Sequence, residues 1–350
     1  MSARAGLLAA ALLIAAPLAS AAPTERDIDA VVAPVVGTDT PGLAILVAQN
    51  GKTLVTKGYG LADIARRTPV TADTAFDLAS LSKEMTALIA LRFAKAGKLD
   101  LAAPIDRVLP SFKQHDGGRA ITAGDLIHHV AGLPDYEDLY EPQMTNADVV
   151  AWANDQELDF APGTDFNYSN TGYVVLASAL MQIAGAADFN TILQREIFMP
   201  LGMTHTRAPE GLAPTATGYA GDDGDFDISL APSPITCDGS VFASIGDLAR
   251  YETALASGKL ADAATMKLLF ANGTFDSGEP IDDGDSEGYG FGWVVSDDGR
   301  VVSHRGSWFG AANFYLRDLP TGITVIVLAN NESFDAEGMA CAIANLYGAC

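Results

Sequence analysis

Residues 76–97 read FDLASLSKEMTALIALRFAKAG. Leu81, Met85, Leu88, Ile89 and Phe93 recur at helical spacing, and Gly97 is suited to a helix stop. The pattern predicts a helix over 80–96 that begins at a serine. Upstream, GLAILVAQ (42–49) and KTLVTKGYG (52–60) flank Asn50-Gly51, the signature of a β-hairpin. Downstream, Thr122-x-x-Asp125 and Ser244-x-x-Asp247 look like capping boxes with Asp in place of Glu, each before a helical run. Residues 171–184 (TGYVVLASALMQIA) predict another helix, closed by Gly185. After residue 287 the pattern returns to strands: YGFGWVVS, VVSHRG, AANFYLRD and TGITVIVLANN, with a closing helix over 335–347.

Strands, a mostly helical middle and strands again predict an α+β fold. The terminal segments, about 22–79 and 288–350, form one antiparallel sheet flanked by helices. The middle, about 80–287, is inserted as a helical lobe, so residues 22–350 make a single catalytic domain. A site at the junction of the lobes follows, because ligand sites favour such places.

The first 21 residues are expected to lie outside that fold. Arg4, the apolar run AGLLAAALLIAA (5–16) and the small-x-small triplet Ala19-Ser20-Ala21 make a signal peptide over 1–21. The apolar run is too short for a bilayer span of about 20 residues. No cysteine follows it, so a secreted or periplasmic protein with no stable membrane anchor is expected. A formal charge of −23 disfavours nucleic acid as a partner, since a polyanion is repelled. The acid gathers in GDDGDFD (221–227) and DSGEPIDDGDSE (276–287), which lack the full calcium-loop spacing and read as solvated loops. Cys341 and Cys350 are close enough in sequence to be candidates for a disulfide, which leaves Cys237 free; connectivity is not fixed by sequence. Cys237 reads as a packed small hydrophobe. His128 and His129 diverge on a helix and have no partners at zinc spacing, so they read as structural.

Three short motifs carry chemistry. Ser80-Leu81-Ser82-Lys83 places an amine one helical turn from a hydroxyl. A serine needs a nearby base to become a nucleophile. Lys83 can be that base if burial and the helix N-terminus lower its pKa. The Ser80 N–H is a first-turn donor usable for an oxyanion. Ser82 is the rival nucleophile but has no lysine three residues on. Tyr168-Ser169-Asn170 supplies a phenol able to shuttle the Ser80 proton and an amide able to orient the lysine. Read alone, the same triplet is a buried aromatic and an N-cap. His304-Arg305-Gly306, in RVVSHRGSWFGA, puts a glycine on a strand where a substrate backbone can approach, with the Ser307 N–H as a second oxyanion donor.

In this order the three motifs resemble those of serine β-lactamases and penicillin-binding proteins. The Y-x-N form is similar to class C β-lactamases, D-alanyl-D-alanine carboxypeptidases, D-aminopeptidases and related esterases. FDLASLSKEMTA, ITAGDLIHHVAGLPDY, FAPGTDFNYSNTGYVVLA, SVFASIGDLARYE, YGFGW and HRGSWFGA carry the likeness across nearly all of the chain after the signal. The resemblance implies Ser80 as acylated nucleophile, Lys83 and Tyr168 as its acid/base partners, and Asn170, His304, Gly306 and Ser307 as substrate-binding positions. It implies an acyl-enzyme, loss of an amine or alcohol, and hydrolysis by water, with no cofactor or metal.

His304 stands where most class C enzymes carry lysine, and Arg305 where threonine is usual. That brings the chain nearer the peptidase and esterase branches. Strand alternation predicts that Arg305 faces away if His304 faces the cleft. Tyr136 and Trp308 are candidate cleft-wall aromatics. The expected activity is hydrolysis of D-amino-acid peptides or related amides. The alternatives are an esterase or weak β-lactamase, or a noncatalytic binding protein on the same fold.

Overall fold

A computed structural model describes residues 22–139, 144–208, 215–222, 224–231, 233–284 and 287–350. The signal-peptide expectation for 1–21 therefore lies outside the described residues.

Seven antiparallel strands make the main sheet: β1 (Leu43–Gln49), β2 (Lys52–Tyr59), β3 (Gly288–Tyr289), β4 (Val294–Val295), β5 (Val301–Trp308), β6 (Ala311–Asp318) and β7 (Ile323–Ala329). Their order across the sheet is β2-β1-β7-β6-β5-β4-β3. The β1–β2 turn follows its sequence signature, with Asn50 at φ 50° and Gly51 at φ 75°. β1 pairs with β7 from Leu43↔Ala329 to Gln49↔Ile323, so an early and a late segment of the chain meet inside the sheet.

Alternation along the strands divides the core. Leu43, Ile45, Val47, Phe314, Leu316, Val325 and Val327 pack on one face with two helices. These are α1 (Glu25–Val32), through Ile28 and Val32, and the closing helix, through Met339, Ala340 and Ile343. Ala44, Leu46, Tyr315, Ile326 and Leu328 face the other way, into a larger core shared with the helices inserted between β2 and β3. Central among those are α2 (Ser82–Lys95) and α3 (Asn170–Ala184), the latter closed by Gly185 at φ 61°.

Four local expectations need correction. The helix predicted over 80–96 begins at Ser82; Ala79–Leu81 is a 3-10 turn. The run YGFGWVVS is not one strand but two short ones, broken by a turn at Gly290–Gly292. Gly292 has φ 78°, and a Cβ there would sit 2.8 Å from the Glu84 Cα, so the turn exists to press on α2. The Thr122 box is reciprocal, whereas Ser244 only accepts from the Asp247 N–H. The Asp247 carboxylate is spent on the His205 N–H, the Thr206 hydroxyl and Arg250. The acidic stretch 221–227 is partly a hairpin, Tyr219–Asp222 against Asp225–Ile228, rather than a plain loop.

All three cysteines are free thiols, so the Cys341–Cys350 bond is not formed in this structure. Cys237 is fully buried, as a small hydrophobe would be. Among the described residues no single helix is long and apolar enough to cross a membrane, and no three His, Cys, Asp or Glu side chains converge as metal ligands.

Candidate active site

The turn bearing Ser80 is held from three sides. Ala79 sits at φ 46°, an uncommon value for a residue with a side chain, and its N–H donates to Asp77 Oδ1 at 2.9 Å. The Leu81 N–H closes the 3-10 turn onto the Leu78 carbonyl at 3.1 Å. Across it runs β5, so close that a Cβ on Gly306 would lie 2.2 Å from the Leu78 carbonyl oxygen. Asn313 Nδ2 ties the two together, donating to the carbonyls of Asp77 (2.9 Å) and Gly306 (3.1 Å). Gly306 thus lets the strand approach the turn that carries Ser80. Ser82, the rival serine, is buried with its Oγ accepting from the Val241 N–H.

Lys83 is fully buried in the first turn of α2. Its Nζ donates to Ser80 Oγ at 3.1 Å, Asn170 Oδ1 at 2.5 Å and the Asp238 carbonyl at 2.7 Å. Three donated N–H bonds are the full capacity of an ammonium. The expectation of a lowered lysine pKa is therefore corrected. Burial pulls it down, but Tyr168, Asp238 and Glu137 outweigh that and hold it above its ordinary value.

Asn170 is placed by Asp135, whose Oδ2 accepts from its backbone N–H (2.9 Å) and its Nδ2 (3.0 Å). A carboxylate at the N-terminus of α3 also suits the helix dipole. Asp238 is fixed by the Tyr136 hydroxyl on Oδ2 (2.6 Å) and the Gly239 N–H on Oδ1 (2.8 Å). Tyr136 is thus both cleft wall and anchor. Asp135 and Asp238 were missed by the sequence reading. Their signals, GLPDY (132–136) and CDGS (237–240), are short loops with no chemical spacing of their own.

Tyr168 stands beside Ser80 and Lys83. Its ring centroid is 4.8 Å from Lys83 Nζ, and its hydroxyl, shielded from solvent, faces Lys83 and Ser80 without a well-formed hydrogen bond to either. Burial raises its pKa, and Lys83 and Ser80 only partly offset the rise. His129, read as structural, does structural work at the site itself. Its ring lies 4.3 Å from that of Tyr168, its Nδ1 accepts from the Ser169 N–H at 3.0 Å, and its carbonyl accepts from the Asn167 N–H at 3.0 Å. Burial foremost, with Lys83 and His304 nearby, holds the imidazole well below its usual pKa and so neutral. His128 lies behind it, its Nδ1 against the Gly124 carbonyl at 2.9 Å.

His304 is buried on β5. Its Nε2 meets the Tyr289 hydroxyl at 2.9 Å, and its Nδ1 lies 2.6 Å from the Arg305 carbonyl. A carbonyl accepts only, so Nδ1 carries the proton and Nε2 accepts from the tyrosine. Burial and Lys83 lower its pKa to about 4. Arg305 is exposed and ion-paired to Glu337 at the cleft edge. Ser307 also lines the cleft, and the Trp308 Nε1–H donates to the Ala231 carbonyl at 2.8 Å.

Ser80, Tyr168, Asn170, His304 and Ser307 thus line one cleft of about 590 Å³, with Lys83 beneath Ser80 and Gly306 against the Leu78 carbonyl. Chemically, this is a hydroxyl beside a proton-carrying amine, with a phenol within reach of both.

The beta-lactamase family profile matches residues 28–347. Penicillin-binding protein 4* of Bacillus subtilis is 30% identical over 318 residues, covering 82% of this chain and 68% of that protein. Protein flp of Staphylococcus aureus is 26% identical, covering 84% of this chain and 60% of its own length. The octameric penicillin-binding protein homologue from Pyrococcus abyssi superposes with a TM-score of 0.80 at 25% identity, over 93% of this chain and 77% of that one. At the level of fold, the D-amino acid amidase from Ochrobactrum anthropi, in complex with D-phenylalanine, gives a TM-score of 0.76 at 23% identity, over 92% and 97% of the two chains. With the family profile spanning nearly all of the described chain, this protein belongs to the beta-lactamase family of serine hydrolases.

Proposed function

We propose that the protein hydrolyses D-amino-acid peptides or related amides through an acyl-enzyme on Ser80. The observation that carries this reading is the bonded set Ser80–Lys83–Asn170 at the floor of a cleft that Tyr168 overhangs. Lys83 and Tyr168 hold two protons between them at rest, so the reactive form has lost one. In that form Ser80 Oγ attacks the scissile carbonyl carbon and its proton passes to the Lys83–Tyr168 pair. The pair returns the proton to the leaving nitrogen as the C–N bond breaks. A water then gives a proton to the pair and attacks the ester carbon. Ser80 leaves reprotonated, and the product is a carboxylic acid.

Asn170 keeps the amine pointed at Ser80, and the neutral His304 shapes the strand against which substrate lies. Ester hydrolysis is the second reading, favoured by the missing lysine charge at position 304; an ester passes through the same acyl-Ser80. Export to the periplasm or medium is part of the proposal and rests on the sequence of residues 1–21.

The test is intact-protein mass over time with excess penicillin, for wild type and Ser80→Ala. A penicilloyl adduct on wild type alone is the expected result. No adduct, with the drug left intact and no Ser80-dependent turnover of D-alanyl amides or simple esters, overturns the reading.

A further inference from the structure

Lys83 donates its three N–H groups to Ser80 Oγ, Asn170 Oδ1 and the Asp238 carbonyl. In the proposed reaction only Ser80 among these acceptors changes its bonds. The other two therefore decide where the third N–H points.

Consecutive residues of one loop hold both of them. Asp135 Oδ2 accepts from the Asn170 backbone N–H at 2.9 Å and from its Nδ2 at 3.0 Å, while Oδ1 accepts from the Glu137 N–H at 3.0 Å. The Tyr136 hydroxyl donates to Asp238 Oδ2 at 2.6 Å, opposite the Gly239 N–H on Oδ1 at 2.8 Å. The loop is clipped to the first turn of α3. The Thr171 hydroxyl donates to the Pro134 carbonyl at 2.8 Å and accepts from the Tyr136 N–H at 2.9 Å. Tyr136, Asn170, Thr171 and Asp238 are all buried.

An amide side chain has two ends of nearly the same shape, and its partners decide which end faces which way. Asp135 accepts three N–H groups, the pattern of a carboxylate. It therefore takes the Nδ2 end of Asn170 and leaves Oδ1 for Lys83. Turned over, the amide would set its oxygen against the carboxylate and its N–H groups against the ammonium. Two repulsive contacts would replace two bonds.

We propose that Asp135 is a positioning residue for acylation: it dictates which end of the Asn170 amide meets Lys83 and, with Tyr136 holding Asp238, aims the third N–H of the amine at Ser80. This rests on the acyl-Ser80 reading and adds the residue that orients its orienting amide.

The experiment follows Ser80-dependent reaction with p-nitrophenyl acetate, penicillin and D-alanine p-nitroanilide, with Ser80→Ala as the control. Asp135→Asn and Tyr136→Phe are each placed in wild type and in Asn170→Ala. Asn at position 135 offers an N–H₂ as well as an oxygen, so the Asn170 amide is free to turn over. Acylation is expected to slow by about tenfold to a hundredfold, the scale of a misplaced reacting group, with the half-saturating probe concentration little changed. In Asn170→Ala there is no amide left to orient, so Asp135→Asn slows it by less than about twofold more. Tyr136→Phe acts through Asp238 and slows both backgrounds alike. Wild-type acylation by Asp135→Asn at an unchanged melting temperature overturns the inference. An equal loss in both backgrounds also overturns it, because Asp135 then acts on the probe or the fold and not through Asn170. Asp135→Ser, which also both donates and accepts, is read the same way if Asp135→Asn does not fold. No Ser80-dependent reaction of wild type with any of the three probes overturns this inference and the acyl-enzyme reading together.

Discussion

Lys83 and Glu84 are neighbours on α2, yet they enter two different buried polar clusters. Lys83 meets three neutral oxygens at the floor of the cleft. Glu84 enters a closed cluster on the sheet side. There Glu252 accepts from the Tyr315 hydroxyl (2.5 Å), Arg317 (2.6 Å) and the Thr324 hydroxyl (3.1 Å). In the closed cluster the cation faces a carboxylate and its proton has nowhere to go. At the cleft the cation donates only to neutral oxygens, and on the proposed mechanism that leaves its proton able to move. The buried Arg317 is paired with a carboxylate, whereas the buried Lys83 is held by dipoles, so removing each cation should have different consequences.

That contrast can be broken by substitution. Lys83→Met is expected to slow acylation by about 10²–10⁴-fold, the usual loss for a positioned proton carrier, with the fold retained. Stopped-flow acylation and thermal melting check the two halves. Arg317→Met is expected to do the reverse. It leaves Glu252 as an unpaired buried charge and lowers stability by about 3–5 kcal/mol, measured by urea unfolding, while the folded fraction turns over normally. If Lys83→Met unfolds the protein, or Arg317→Met abolishes turnover at full stability, the contrast fails.

Tyr168→Phe sharpens it. Loss of a hydroxyl that makes no well-formed hydrogen bond at rest should slow acylation by roughly 10²-fold with little change in melting. The pH profile follows the same logic. Both Lys83 and Tyr168 hold their protons above their ordinary values, so the reactive form grows as pH rises. Acylation should climb by about tenfold per pH unit through neutrality, as for loss of a single proton; a flat profile would remove the pair as the base.

The smallest effect is at Glu84. Burial above all keeps its carboxyl protonated well above the usual range, with Glu252 adding to the effect and Arg317 opposing it. The folded state therefore holds a proton that the unfolded state has lost, and stability falls as pH rises above the unfolded value. Glu84→Gln should be no less stable than wild type at pH 7 and should flatten that decline, as seen by melting across pH 5–8.

The sheet strands and the main helices were legible in the sequence because alternation and helical spacing reflect burial on one face. The meeting of Ser80, Lys83, Tyr168 and Asn170 at one cleft was legible because their types and order match the motifs quoted from the sequence. Asp135, Asp238, Tyr289 and the role of His129 were not. They reach the site through loops and backbone groups, and a carbonyl that accepts from Lys83 leaves no mark on residue type. The lysine's charge state was misread for the same reason: burial is visible in a sequence, whereas neighbours brought from residues 137, 168 and 238 are not.

The pairing of β1 with β7 sets a timetable for synthesis. The Gly42 N–H donates to Asn330 Oδ1, a partner 288 residues later in the chain. At a ribosomal pace of about 5–20 residues per second, that partner emerges roughly 15–60 seconds afterwards. Gly306, against which the Ser80 turn is pressed, arrives almost as late. On the proposed acyl-Ser80 reading, the turn that carries Ser80 is made early but is not braced by β5 until nearly the whole chain is present, so a nascent or C-terminally truncated chain is expected to carry Ser80 without reactivity. Such long-range closure also predicts slow folding for a chain of this size.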